Sequence, residues 1–166
     1  MADYYFITSK LNGNVLDIEG ASTAARTPII SYPRKTSGTD NQLWELVPTG
    51  TPLPDGSFNH YFIKSKLNGN VLDIEGANTA PRTRIISYPQ KTSGTNNQVW
   101  LLNSGAQSGY FFITSELNGN VLDIEGASTA PRTQIISYPR KTSGTNNQEW
   151  MLVPENGPSP KKQAFA

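Results

Sequence analysis

The sequence contains no cysteine, which removes disulfides, thiolate metal sites and cysteine nucleophiles together and leaves packing alone to hold the fold. A reducing compartment suits such a chain. Histidine occurs once, as His60, so a histidine-based triad or a histidine-rich metal site has no partners to recruit. Neither a metal nor a cofactor is expected. An excess of one charge is also lacking: 14 basic and 13 acidic residues are scattered along the chain for a formal net charge of +1, with no basic face of the kind that collects on phosphate backbones. Nucleic acid is not an expected partner.

Long apolar runs are missing as well, and the opening residues Met1-Ala2-Asp3-Tyr4-Tyr5 carry an acid where a signal peptide would have basic residues. The expectation is a soluble protein without signal peptide or membrane insertion, cytoplasmic or released by a non-classical route. At 166 residues the chain fits one ordinary core and not a catalytic domain beside a separate binding domain.

What the sequence has in abundance is itself. Leu11 to Trp44 is a 34-residue unit that returns at Leu67 to Trp100 and at Leu117 to Trp150, and the third copy differs from each of the others at 4 of 34 positions. The offsets are 56 and 50 residues, because the Gly- and Pro-rich connection around Thr49 to Gly56 is longer than the one around Asn103 to Ala106. Both connections read as surface loops.

Within a copy, aromatic and β-branched residues cluster in short runs bounded by Gly, Pro, Asn and Ser, the pattern of strands rather than helices. The first copy predicts strands over Tyr4 to Ser9, Asn14 to Ile18, Pro28 to Tyr32 and Gln42 to Val47, with Asn12-Gly13 as a two-residue hairpin turn. Pro33 ends the third run by withholding a ladder donor. Four strands in each of three copies make twelve. A repeat near 50 residues also fits a kelch-like propeller blade, but propellers close with at least four blades, so three units favour a closed trefoil. The predicted domain spans 1–154, with repeats at about 4–48, 60–102 and 110–153, and a flexible tail over 155–166.

Each copy ends in the same polar signature before a tryptophan: Asn41-Gln42-Leu43-Trp44, Asn97-Gln98-Val99-Trp100 and Asn147-Gln148-Glu149-Trp150. Three Gln-x-Trp motifs in register make the chain resemble the ricin B-type lectins over nearly its whole length. That resemblance implies an all-β, β-trefoil fold with pseudo-threefold symmetry, six strands forming a short barrel and six capping it as hairpins, and a sugar site in each repeat. It also implies the site residues, because the family's pattern is an aspartate followed by an aromatic, an asparagine and the motif glutamine at offsets of 15, 24 and 25. Asp17 is followed there by Tyr32, Asn41 and Gln42; Asp73 by Tyr88, Asn97 and Gln98; Asp123 by Tyr138, Asn147 and Gln148. The turn glycines Gly20, Gly76 and Gly126 complete the three sets. One departure is that Ile30, Ile86 and Ile136 stand where galactose-binding relatives often carry a polar residue.

Such a set suits a pyranose, which presents hydroxyl groups at its edges and a patch of C–H bonds on one face. An aspartate accepts two sugar O–H groups in charge-assisted hydrogen bonds. A tyrosine offers an apolar platform with little rotamer entropy, and an axial 4-hydroxyl leaves one C–H face clear, which leans the reading towards galactose or N-acetylgalactosamine. Asparagine both donates and accepts; the motif glutamine either braces the aspartate or reaches the sugar. The tryptophans belong to the core.

Glu19, Glu75 and Glu125, two positions after the aspartates, invite a paired-carboxylate glycosidase reading, but an enzyme seldom repeats a catalytic pair three times and no pKa-raising pocket is legible. The expected function is therefore a non-enzymatic lectin that cross-links glycans on glycoproteins or glycolipids through three sites, with a homodimer admitted as an assembly. The competing classes are a β-trefoil protease inhibitor or protein-binding module, and the sugar-targeting module of a toxin or glycosidase.

Overall fold

The computed structural model describes residues 2–50 and 52–160. It contains twelve strands and six short 3-10 turns. The first repeat contributes β1 (Tyr5–Ser9), β2 (Val15–Ile18), β3 (Thr27–Tyr32) and β4 (Trp44–Pro48). The second contributes β5 (His60–Ser65), β6 (Val71–Ile74), β7 (Thr83–Tyr88) and β8 (Trp100–Ser104), and the third β9 (Phe111–Ser115), β10 (Val121–Ile124), β11 (Thr133–Tyr138) and β12 (Trp150–Pro154).

The first and fourth strands of the repeats close a ring, each paired antiparallel with the next: β1 with β4, β4 with β5, β5 with β8, β8 with β9, β9 with β12, and β12 with β1. A ring leaves no free edge among these strands, so their backbone donors and acceptors are satisfied without a protective flank. The second and third strands form three hairpins, and β3, β7 and β11 pair with one another in a triangle. These pairings follow the β-trefoil plan, and their repetition is consistent with threefold symmetry.

The core repeats with the sequence. Ile7, Leu16, Ile18, Ile29 and Trp44 are buried in one cluster with their counterparts from the other two repeats. Strand alternation explains the choice: in β2, Leu16 and Ile18 face this cluster while Asp17 between them faces the other way. Each indole is tied in place, Trp44 Nε1–H donating to the Leu16 carbonyl at 3.1 Å and Trp100 and Trp150 to Leu72 and Leu122 at 3.2 Å. The polar end of a large buried aromatic is thereby satisfied.

Three local expectations change. The Asn12-Gly13 turn is not a two-residue hairpin: only Gly13 has positive φ (76°), and Lys10 to Asn14 separate the strands. The reason is the Asn12 side chain, whose Oδ1 accepts the Asn14 N–H at 3.0 Å and supplies the turn locally. The fourth strand starts at Trp44, because Asp40–Gln42 winds into a 3-10 turn. Beyond Pro154 the chain keeps contacts as far as Ser159: Arg34 stacks on Phe6 with its guanidinium carbon 3.9 Å from the ring centre, and donates to the Gly157 carbonyl at 2.9 Å and to Ser159 Oγ at 3.3 Å. The rest of the expected tail, 161–166, lies outside the described residues.

Symmetry is broken at the middle position of the last signature. Leu43 and Val99 are replaced by Glu149, which is 1 % exposed. It accepts from Lys10 Nζ at 3.2 Å, from the Ala106 N–H at 3.1 Å and from Thr145 Oγ1 at 2.9 Å. A buried carboxylate is tolerated because each of these donors is aimed at it, and Glu149 thereby joins the first strand's end to the loop after β8.

Candidate functional site

Each repeat builds one cleft from five places in its own sequence, the loop after β3 among them, and one in another repeat. In the first, Asp17 comes from β2, Ile30 and Tyr32 from β3, Asn41 from the 3-10 turn before β4, and Glu19 to Ala21 from the 3-10 turn after β2. The β2–β3 ladder sets Asp17 opposite Ile30, which makes the isoleucine an apolar floor beside the carboxylate. Gly20 adopts φ 65°, a left-handed conformation that a glycine takes without steric cost, and so turns the chain out of β2 around the mouth. The clefts of the first, second and third repeats measure about 370, 510 and 470 Å³ and have the same residue types at every corresponding wall position.

Asp17 is 4 % exposed and the other two aspartates 3 %. Their surroundings explain how the charge is kept. Gln42 Nε2 donates to Asp17 Oδ2 at 2.8 Å and to the Pro33 carbonyl at 3.1 Å, while Gln42 Oε1 accepts the Lys35 N–H at 2.9 Å. Gln98 and Gln148 repeat this arrangement. The glutamine amide is thus saturated, wholly buried, and stands behind the aspartate and outside the cleft wall. Asn41 is also fixed: Nδ2 donates to the Ile18 carbonyl at 3.0 Å. In the second and third repeats the corresponding amide adds a 3.2 Å bond to the second aspartate oxygen.

Burial pushes the three aspartate carboxyls above their ordinary range, and hydrogen bonds from glutamine and asparagine together with the nearby lysine partly offset it. Glu19, Glu75 and Glu125 add to the upward push. These glutamates lie just past the strand, each opening a 3-10 turn, rather than on the strand face of the aspartates.

Two cations in each cleft were not anticipated from the sequence. Lys35, Lys91 and Lys141 reach the asparagine Oδ1 with Nζ at 2.5 Å. Arg132 lines the first cleft, Arg26 the second and Arg82 the third, so each repeat lends an arginine to another in a closed cycle. Backbone bonds fix the crossing: the N–H groups of Arg26, Arg82 and Arg132 donate to the carbonyls of Ser87, Ser137 and Ser31 at 2.8 Å. All three arginines have φ 68°, at a strain of roughly 1–2 kcal/mol each for a residue with a Cβ. Both cations are the same in all three copies, as the aspartates are, and that was the available signal. The arginine escapes any search by spacing within a repeat because it acts in another one.

The second cleft has one feature the others lack. Arg84 Nε and an Nη donate to the two oxygens of Glu75 at 2.8 and 2.7 Å. Arg84, with a smaller pull from Arg26, holds the Glu75 carboxyl below the usual range. Pro28 and Gln134 occupy the Arg84 position in the other repeats. Among the described residues no cluster of three or more His, Asp or Glu side chains could hold a metal ion, and no helix is long and apolar enough to cross a membrane.

Ring and hairpin triangle define a β-trefoil with one cleft in each repeat. The family described as ricin-type beta-trefoil lectin domain-like matches residues 1–88, 51–138 and 96–159, and the chain belongs to it. Among solved structures it is similar to ThreeFoil, a designed 3-fold symmetric protein, at 35% identity and TM-score 0.77, covering 90% of this chain and 97% of that one. It is also similar to the earthworm R-type lectin C-half solved in complex with GalNAc, at 26% identity and TM-score 0.67, covering 92% and 99%. An exo-β-1,3-galactanase from Clostridium thermocellum shares the fold at 25% identity and TM-score 0.75 over 92% of this chain but 30% of its own. Mucoricin of Rhizopus delemar is 44% identical over 45 residues, so the match spans 27% of this chain and 31% of mucoricin.

Proposed function

We propose that the chain is a non-enzymatic lectin with three sugar sites for galactose- or N-acetylgalactosamine-type glycans, acting by cross-linking glycoproteins or glycolipids. The observation that carries the reading is the braced aspartate. A carboxylate held by a saturated glutamine, beside a half-buried tyrosine and a fixed asparagine, recurs in three clefts with the same geometry. Its orientation is set before a ligand arrives, which lowers the ordering cost of binding.

Each aspartate offers its acceptor oxygens to neighbouring sugar hydroxyls, the tyrosine meets the C–H face, and the isoleucine floor replaces a polar contact with an apolar one. Shallow clefts imply weak single sites; a millimolar dissociation constant corresponds to about 4 kcal/mol. Three sites on one chain then supply avidity, a gain of roughly 10²–10⁴ when a surface engages several at once.

A glycan array followed by calorimetric titration tests the proposal. Galactose-type ligands at a stoichiometry near three support it; an array with no sugar bound removes it. A second reading, the sugar-targeting module of a larger enzyme or toxin, is favoured by the galactanase, in which the matching region is under a third of the chain. The size of the native gene product separates the two.

A further inference from the structure

The borrowed arginines are not needed to build the fold. A glycine would take the same φ without strain and still offer its N–H to the serine carbonyl. Instead, at all three positions a charged side chain is held in the left-handed region, exposed, and placed on the wall of another repeat's cleft. Among the described residues none of the three guanidinium groups donates to a protein acceptor, so all their donors face the cleft mouth or solvent.

Charge then distinguishes the clefts. In the first and third, an aspartate and a glutamate balance the lysine and the borrowed arginine, and the glutamate stays available to attract that arginine. In the second, Arg84 occupies both oxygens of Glu75. With Arg84 counted, the second cleft carries one positive charge more than its carboxylates balance, and Arg26 is left only a longer-range pull on a glutamate that is already paired.

We infer that Arg26 makes the second cleft selective for sugars bearing an anionic substituent, a sulfate or a carboxylate, while the first and third remain neutral-sugar sites. Recognition would run through the planar guanidinium fork, whose parallel donors match two oxygens of either anion. The aspartate would keep its hydroxyl partners, so the anion has to sit on a part of the glycan away from the braced carboxylate, towards the repeat boundary. Arg84 is a positioning residue here: it acts by occupying Glu75. This inference rests on the sugar-binding reading above.

The test uses the full chain with Asp17→Ala and Asp123→Ala, which leaves only the second cleft, and in parallel Asp73→Ala, which leaves the other two. Each is titrated with a neutral galactoside, a sulfated galactoside and a sialylated galactoside, with folding checked by thermal unfolding. The second cleft is expected to prefer an anionic probe over the neutral one by about three- to fivefold, the scale of a partly exposed ion pair. That preference should vanish in Arg26→Gln, shrink in Arg84→Gln, and fall as salt is raised. Preference for the sulfated probe alone assigns sulfate as the anion, and for the sialylated probe alone carboxylate. Equal affinity for all three probes, or a preference that survives Arg26→Gln, overturns the inference and leaves the lectin reading intact. Absence of binding to every probe at every cleft removes both.

Discussion

Gln42 Nε2 lies 2.8 Å from Asp17 Oδ2, and the next residue but one, Trp44, donates its indole N–H to the carbonyl of Leu16. Two neighbours in the signature thus grip two neighbours in β2, one through the side chain that faces the cleft and one through the backbone over the core. The signature positions the site and the fold with the same few bonds.

Removing the brace should hurt both. Gln98→Ala leaves Asp73 Oδ2, the Pro89 carbonyl and the Lys91 N–H without their partner. A loss of about 1–3 kcal/mol of stability is expected, the range for unsatisfied buried groups. Denaturant unfolding measures it. Titration should show one of three sites weakened at least tenfold, although Gln98 is wholly buried and absent from the cleft wall; unchanged affinity at that site would show that the aspartate needs no brace.

Acid should release sugar before it unfolds the protein. The aspartates titrate above the ordinary value of about 3.9 because they are buried, so the folded state takes up protons more readily than the unfolded one. The sign follows: through these groups, stability falls as pH rises from the unfolded to the raised folded value, and acidification relieves them. Binding needs the carboxylate and is lost as pH falls through the raised value. Titrations between pH 7 and pH 4, with near-ultraviolet circular dichroism recorded alongside, should show affinity falling while the tertiary signal persists.

The Lys10–Glu149 pair should behave as a buried one. Lys10→Met strands a carboxylate that is 1 % exposed and is expected to cost about 3 kcal/mol. Adding Glu149→Leu, the residue that the first repeat carries at this place, should recover most of it. A thermal-unfolding double-mutant cycle checks this; full additivity would mean the pair is uncoupled.

Much of this architecture was legible because the repeat reports itself three times. Asp17, Tyr32 and Asn41, grouped by the family resemblance, line one cleft, and the tryptophans are core. What escaped has physical causes. The sequence left Gln42 able to brace or to bind, and only the fold shows its amide engaged in three bonds to the protein. Asn12 turned the chain through its side chain, which a dipeptide rule does not see. Nothing in the sequence links Glu149 to Lys10, far away along the chain, until the fold brings the two together. The arginines act across a repeat boundary, where strand pairing rather than spacing brings groups together.

The central proposal is that each of the three clefts binds one sugar. Calorimetric titration of a monovalent galactose-type sugar into the intact chain, and then into Asp17→Ala and the triple variant with Asp73→Ala and Asp123→Ala, measures it. The account predicts a stoichiometry near three, then near two, then no binding, with the fold retained throughout. A stoichiometry of one in the intact chain, or sugar binding that survives the triple variant, would contradict it.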